Sequence, residues 1–240
     1  MNIRLEQQRD YREVENLTRE AFWNVYRPGC VEHYVLHRYR DDPAFIPELD
    51  FVMEEGGRII GHVMFSKAEI AIMGGGVLPS WTFGPISIHP DFKRKGYGLA
   101  LLNHALEKAK ALGVGFICME GNIAFYSHAG FDLASKFRIH YHDEPPEAEV
   151  PYFLARELLP GYLHGIEGTY HPPKGYFVAD ENPEDFAAYE ATFPAKTKAF
   201  QTGQLPQFCK SCGKPLSCEA DCAAGADGTI DFTRCKSCQP

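Results

Sequence analysis

Two stretches of this 240-residue chain combine residue types at spacings that could do chemistry. The first is HPDFKRKGYGLALLNHALEKA, residues 89–109, where Lys93, Arg94 and Lys95 meet Gly96 and Gly98 ahead of an apolar-periodic run. Glycines let successive backbone N–H groups converge on one concavity, and a helix start adds partial positive charge, so a phosphorylated ligand could sit there. Neither GxxxxGK[ST] nor GxGxxG is present, which excludes a Walker loop and the dinucleotide fingerprint. The same residues also fit a tight turn whose solvated charges cap an ordinary helix, and alone they do not separate the two readings. The second stretch holds Cys209-x2-Cys212 and Cys235-x2-Cys238, two knuckles separated by 22 residues. Four thiolates so arranged close a tetrahedral zinc site with no open position, which makes the site structural rather than catalytic. Cys218 and Cys222 offer substitute ligands or a second thiol pair. Gly213 suits the knuckle turn, and Asp227-Gly228 suits a hairpin between ribbon strands.

Composition sets the frame for both stretches. With 45% hydrophobic residues the chain can bury a proper core, and its net charge of −8 argues against broad affinity for nucleic acid or anionic lipid. Apolar runs are short and the N-terminus MNIRLEQQRD is polar, so a soluble cytoplasmic protein without membrane contact is expected. That setting disfavours disulfides in the cysteine-rich tail. Six of the eight cysteines fall in the last 32 residues, marking a second module. The expected division is 1–178 as the main domain, 179–206 as a Pro-containing linker, and 207–240 as the metal module.

The elements around the first stretch follow from periodicity. NIRLE reads as a strand and DYREVENLTREAF as a helix, with CVEHYVLHRYRDD as a second, short helix. DFVMEE, a GGR turn and IIGHVMFSKAEIAI form an antiparallel hairpin, and VLPSWTFGPISIHP adds a strand whose Gly84-Pro85 implies a bulge or splay. Leu99, Leu102, Ala105, Leu106, Ala109 and Leu112 keep helical rhythm up to Gly113. GFICMEG reads as a strand, IAFYSHAG as a short helix closed by Gly130, and FDLASKFRI and VPYFLARELLPG as further strands. The class is mixed α/β (α+β with a mixed sheet), not doubly wound.

GPISIHPDFKRKGYGLALLNHALEKAKALG followed by GNIAFYSHAGF strongly resembles the GNAT superfamily of acyl-CoA-dependent N-acetyltransferases. Lys93-Arg94-Lys95-Gly96-Tyr97-Gly98 matches that family's Q/R-x-x-G-x-G/A loop, with Lys93 in place of the usual Gln or Arg. The GxxxFYxxxGF segment and PYFLARELLPGYLHGIEGTYHPP narrow the resemblance to a branch of predicted bacterial acetyltransferases, covering about residues 2–178. It implies two parallel strands splayed around Pro85–Ile88 and Phe116–Met119, with acetyl-CoA in the cleft. The pantetheine arm would pair with Ile86, Ser87 and Ile88, and the pyrophosphate would meet the loop from Lys93 to Gly98 and the helix start at Leu99. Backbone amides then carry most of the binding, with the basic side chains as helpers. Tyr126 matches the tyrosine that such enzymes place near the coenzyme sulfur, where it protonates the departing thiolate.

Other candidates come from residue chemistry. Asn122 could contact the pantetheine or cap the short helix. Glu120, or Glu54 and Glu55, could take the amine proton, although each also reads as a solvated carboxylate. His89 before a proline reads mainly as structural, and Cys118 as a buried small hydrophobe. The tail resembles a zinc ribbon found at bacterial C-termini, with Cys209, Cys212, Cys235 and Cys238 on Zn2+. The expected function is N-acetyltransfer from acetyl-CoA to a primary amine of a small molecule or protein, with a homodimer compatible. The alternative is an acyl-CoA-binding regulator or adaptor with little turnover, whose ribbon docks a protein or nucleic acid.

Overall fold

Apolar alternation and two glycine turns build the first half of the sheet. β1 (Asn2–Leu5) precedes two helices, α1 (Tyr11–Phe22) and α2 (Glu32–Tyr39), and then β2 (Phe51–Glu55), β3 (Arg58–Ile72) and β4 (Val77–Ile88) run as an antiparallel meander. Gly56 and Gly57, with φ of 60° and 79°, make the two-residue turn between β2 and β3, where φ > 0 is needed twice. α3 (Tyr97–Ala111) follows, ended by Gly113 at φ 84°, and leads into β5 (Phe116–Glu120) and the single-turn α4 (Ile123–Tyr126). The computed structural model describes residues 1–201, 204, 207–209, 211–212, 214–216, 221–224 and 230–238.

Beyond α4 the structure departs from the expected strands. FDLASKFRI is not one strand but β6 (Asp132–Leu133), a tight turn over Ala134–Phe137 and β7 (Ile139–Tyr141). The break is local: Arg138 sits at φ 59°, which reverses the chain, and Ala134 is buried beneath the turn. β8 (Phe153–Glu157) lies antiparallel to β5, and β9 (Gly168–His171) pairs with the far end of β3 and with β7. The strand order is β1-β2-β3-β4-β5-β8-β6, with β9 and β7 joined along the overhang of β3.

The segment 179–206, expected to be a linker, begins as structure. α5 (Val178–Glu181) and α6 (Pro183–Glu190) pack Phe186 and Tyr189 on His33, Tyr34 and His37 of α2. Glu190 closes the contact, 2.8 Å from His33 Nε2 and bonded to the Arg19 guanidinium. Burial raises its carboxyl, yet the contacts with His33 and Arg19 hold it below the ordinary range. In the tail, β10 (Gln207–Phe208) pairs with β11 (Pro215–Leu216), and β12 (Cys222–Ala224) with β13 (Ile230–Cys235).

Three clusters hold the main sheet. Leu101, Leu102, Ala105 and Leu106 of α3 fill one face against Met53, Val63 and Ile117, each leucine contributing about 1.5–3 kcal/mol by burial. α1 and α2 cover part of the other face through Val14, Leu17, Leu36 and Tyr39. The rest of that face is closed by β7 and β9, through Ile139 and Tyr170 against Phe116 and Cys118. Among the described residues no helix is long and apolar enough to cross a membrane.

Candidate active site

The cleft opens where β4 loses its second neighbour. Pairing between β4 and β5 is parallel and confined to Trp81 and Ile117, and from Phe83 to Ile88 β4 pairs with β3 alone. Between the pairs Val63–Ile86 and Phe65–Phe83, Gly84 and Pro85 of β4 oppose Met64 alone, so the bulge that supplies the local kink lies in β4, and its Gly84 adopts φ 146°, a conformation costly for any side-chain-bearing residue. His89 N–H donates to Ile60 O at 2.8 Å. Antiparallel bonding alternates, so Ser87 shares that inner edge, whereas Ile86 and Ile88 turn their N–H and C=O groups to the open edge.

Ser87 is therefore a correction to the expected cofactor set. Its backbone is committed to β3, and its hydroxyl donates to Thr18 Oγ1 at 3.1 Å on the α1 side.

Past Pro90 the basic loop leads to the mouth of α3. Arg94 and Gly96 both have positive φ, 60° and 85°, which curls the chain so that α3 starts at Tyr97. Ala100 N–H makes the first intrahelical bond, 3.0 Å to Gly96 O, leaving the Tyr97, Gly98 and Leu99 amides at the helix entrance. The two glycines serve different needs. A Cβ on Gly96 would meet nothing within 4 Å, so backbone conformation demands glycine there. A Cβ on Gly98 would lie 3.4 Å from Phe125 Cζ and 3.5 Å from Ile88 Cγ1, so that position is governed by space between helix and strand.

Lys93 is a second correction. Its ammonium donates to Ala21 O at 3.0 Å, neutralising the carbonyl end of α1 instead of extending the anion cradle. Lys95 donates to Asp91 O at 2.9 Å, and Arg94 is exposed.

Tyr126 stands at the splay. Its ring packs 5.8 Å from Phe83, 6.0 Å from Phe131 and 4.9 Å from Phe125, centroid to centroid. Burial pushes its phenol well above the ordinary range, so the hydroxyl keeps its proton at neutral pH. Asn122 acts as the cap, accepting from Ala124 N at 2.9 Å. Glu120, at the exposed end of β5, accepts from Tyr141 Oη at 2.7 Å. The other acid and base candidates are engaged elsewhere: Glu54 by Arg4, and Glu55 by the N-terminal amine. His89 accepts from Arg58 Nη2 at 2.6 Å on Nε2, and burial with the Arg58 charge lowers its pKa, which leaves it neutral and structural. Cys118 is buried, which raises its thiol and leaves it inert.

Gly121 was not expected and proves to set Tyr126. A Cβ there would fall 2.3 Å from Tyr126 Cε2 and 2.9 Å from Met119 Cε. Gly121→Ala must push the phenol ring out of line, and misplacing a reacting group by about 1 Å can cost on the order of 10²-fold. Steady-state kinetics should show kcat reduced with folding intact by circular dichroism; an unchanged kcat would separate the ring position from turnover.

The cysteines form a second centre. The sulfurs of Cys209, Cys212, Cys235 and Cys238 all lie within 4.8 Å of one another, with Cys212 and Cys235 at 3.5 Å. Cys235 N–H donates to Cys209 Sγ at 3.3 Å, which pulls that thiol down to about 6. Cys238 is pushed up to about 12 by hydrogen bonds to Cys212 and Cys235, because four thiols this close cannot all ionise without a cation among them. Cys222 is buried opposite Cys235 in the β12–β13 ladder and is not one of the four grouped sulfurs. Cys218, Gly213, Asp227 and Gly228 lie outside the described residues.

Comparison with known proteins agrees with this geometry. Residues 10–131 match the family model of the acetyltransferase (GNAT) family. The uncharacterized N-acetyltransferase YhbS of Escherichia coli K12 is 26% identical over 176 residues, covering 71% of this chain and 96% of that protein. A crystal structure of Escherichia coli YhbS in complex with CoA superposes with a TM-score of 0.61 at 23% identity, covering 73% of this chain and 91% of that one. A GNAT acetyltransferase from Brucella melitensis in complex with acetyl-CoA gives 0.56 at 23% identity, over 73% and 97% of the two chains. With the open edge of β4, the glycine loop and the family match in agreement, the chain belongs to the acetyltransferase (GNAT) family.

Proposed function

We propose that this protein transfers an acetyl group from acetyl-CoA to a primary amine by direct attack. The observation that carries the reading is the free edge of β4 from Phe83 to Ile88 running into the amide-lined mouth of α3. Ile86 and Ile88 offer backbone groups to the pantetheine amides as an added strand would. The Tyr97, Gly98 and Leu99 amides, with the Gly96 turn and the mobile charges of Arg94 and Lys95, suit a pyrophosphate at a helix N-terminus. The Ile86 N–H stabilises the oxygen that gains charge as the amine adds to the thioester carbonyl. Glu120 takes the proton that the attacking nitrogen loses, and Tyr126 gives its proton to the sulfur as the carbon–sulfur bond breaks. Both solved relatives, one in complex with CoA and one with acetyl-CoA, support the same ligand here.

Cys209, Cys212, Cys235 and Cys238 fit a tetrahedral Zn2+ site, their clustered sulfurs matching its donor set. The ion would tie the two short hairpins of the tail into a zinc ribbon after residue 206, a second module beside the acetyltransferase domain.

The test is a broad amine panel with acetyl-CoA and detection of released thiol. Release with at least one amine, saturating in acetyl-CoA, is expected. Measurable acetyl-CoA binding with no release across the panel would replace this reading with that of an acyl-CoA-binding adaptor.

A further inference from the structure

Strand alternation divides the residues at the splay between two faces. Trp81, Ile117 and Met119 face α3, so Ser66 of β3, Thr82 of β4 and Glu120 of β5 face the other way. On that far face four tyrosines gather around Glu120. Tyr141 donates to its carboxylate at 2.7 Å and lies 5.8 Å from Tyr152 and 6.3 Å from Tyr170, ring to ring. Tyr176 donates to Gly84 O at 3.1 Å, the point at which β4 parts from β5. Burial raises all four phenols, and the charge of Glu120 pushes each the same way, which places them in one electrostatic neighbourhood. Beside Tyr176 the hydroxyls of Tyr39 and Ser66 are fully buried, neither with an aligned hydrogen-bond partner among the described residues. A polar ligand group reaching these hydroxyls would give each an aligned partner.

The rim of the same site is acidic. Asp143, Glu144, Glu147 and Glu149 are exposed in the β7–β8 connection, and neither Lys nor Arg occurs between Arg138 and Arg156. Asp143 and Glu144 follow Tyr141 closely in the chain, Glu144 N–H donating to Tyr141 O at 3.4 Å and Asp143 lying 2.9 Å from His142 Nδ1. Glu120 and Tyr152 are solvent-accessible, which leaves the mouth open.

We infer that this phenol-and-carboxylate cluster is the acceptor site and that it selects a primary aliphatic amine carrying a second positive charge. The inference rests on the acetyltransferase reading above. An ammonium group is attracted by the Glu120 carboxylate and by phenol oxygens and ring faces, and the second cation by the rim. A carboxylate in place of that second cation meets repulsion from both. The ammonium gives its first proton to solvent, and the neutral nitrogen attacks the thioester carbonyl on the β4 side and loses its second proton to Glu120.

The experiment compares kcat/KM for 1,4-diaminobutane and 4-aminobutanoate with the full chain, by thiol release at low and high salt. These amines share chain length and differ in the charge at the far end. A preference of about tenfold or more for the diamine is expected, shrinking as salt screens the rim. Asp143→Asn with Glu144→Gln, both at exposed positions, should reduce the preference to about threefold with the KM for acetyl-CoA unchanged. A capped dilysine peptide run in parallel distinguishes a peptide source of the same chemistry from a free diamine. Equal kcat/KM for the two amines, with turnover present, overturns the charge selection and leaves acetyl transfer standing; no turnover with any amine overturns both.

Discussion

Tyr126→Phe lowers kcat for acetyl transfer by about 10²–10⁴-fold, the range of a lost general acid, while the KM for acetyl-CoA stays within about twofold. The split follows from how the ring is held. Phe83, Phe125 and Phe131 surround it and Gly121 lies flat against it, so deletion of one oxygen leaves the aromatic packing in place. The cofactor contacts proposed for Ile86, Ile88 and the α3 amides do not involve that oxygen. What the substitution removes, on the proposed mechanism, is the proton for the departing sulfur, and burial keeps the phenol protonated from neutral into alkaline pH. Wild-type activity should therefore not decline through Tyr126 ionisation until strongly alkaline conditions. Steady-state kinetics with titrated acetyl-CoA measure both parameters, and a kcat unchanged by the substitution would take Tyr126 out of the reaction.

The elements that build the cofactor side were legible because they are long and local. α3 repeats its apolar residues over four turns, and β2–β3 announces itself through alternation and a two-glycine turn. β9 left no such trace, since four residues carry little periodicity and its partners are the overhang of β3 and the distant β7. α6 reads as polar, PEDFAAYE, and owes its place to Phe186 and Tyr189 stacking on α2 and to Glu190 meeting Arg19 and His33. Asn182-Pro183 was its one local start signal.

The glycine loop could be found from sequence, but the direction of each group in it could not. Ser87 and Lys93 have fitting types and fitting positions. Strand alternation turns the first toward α1, and the carbonyl end of α1 captures the second. The cluster proposed as the acceptor side was still less visible, because Glu120, Tyr141, Tyr152, Tyr170 and Tyr176 come together only when the β7–β9 pair folds over the sheet.

Removal of zinc, or Cys235→Ser, should unfold the tail while the acetyltransferase domain keeps its structure. The tail has little else to stand on: its two hairpins pair two or three residues each, and isolated hairpins of that size are marginal in water. Among the described residues its apolar contacts are Leu216, Ile230, Phe232 and the incoming Phe200 beside the cysteines. Structural zinc in modules of this size supplies on the order of 10 kcal/mol of apparent binding energy, more than such a core can replace. Cys235 is the most informative position, being buried, in contact with Cys212, and bonded through its backbone to Cys209. The main sheet has its own core in α3 and in α1–α2, and the strap from Phe193 to Thr197 is held there by Arg12, Trp23 and Asn24. Limited proteolysis after chelation should therefore cut beyond residue 200 and leave a fragment of about residues 1–200 intact, since a domain with its own packed core resists global opening. Metal analysis of the untreated full chain under reducing conditions should give about one zinc per chain for a four-cysteine site. Less than a tenth of an equivalent, or a tail equally resistant to protease with chelator present, would show that the four cysteines are held together by something other than zinc.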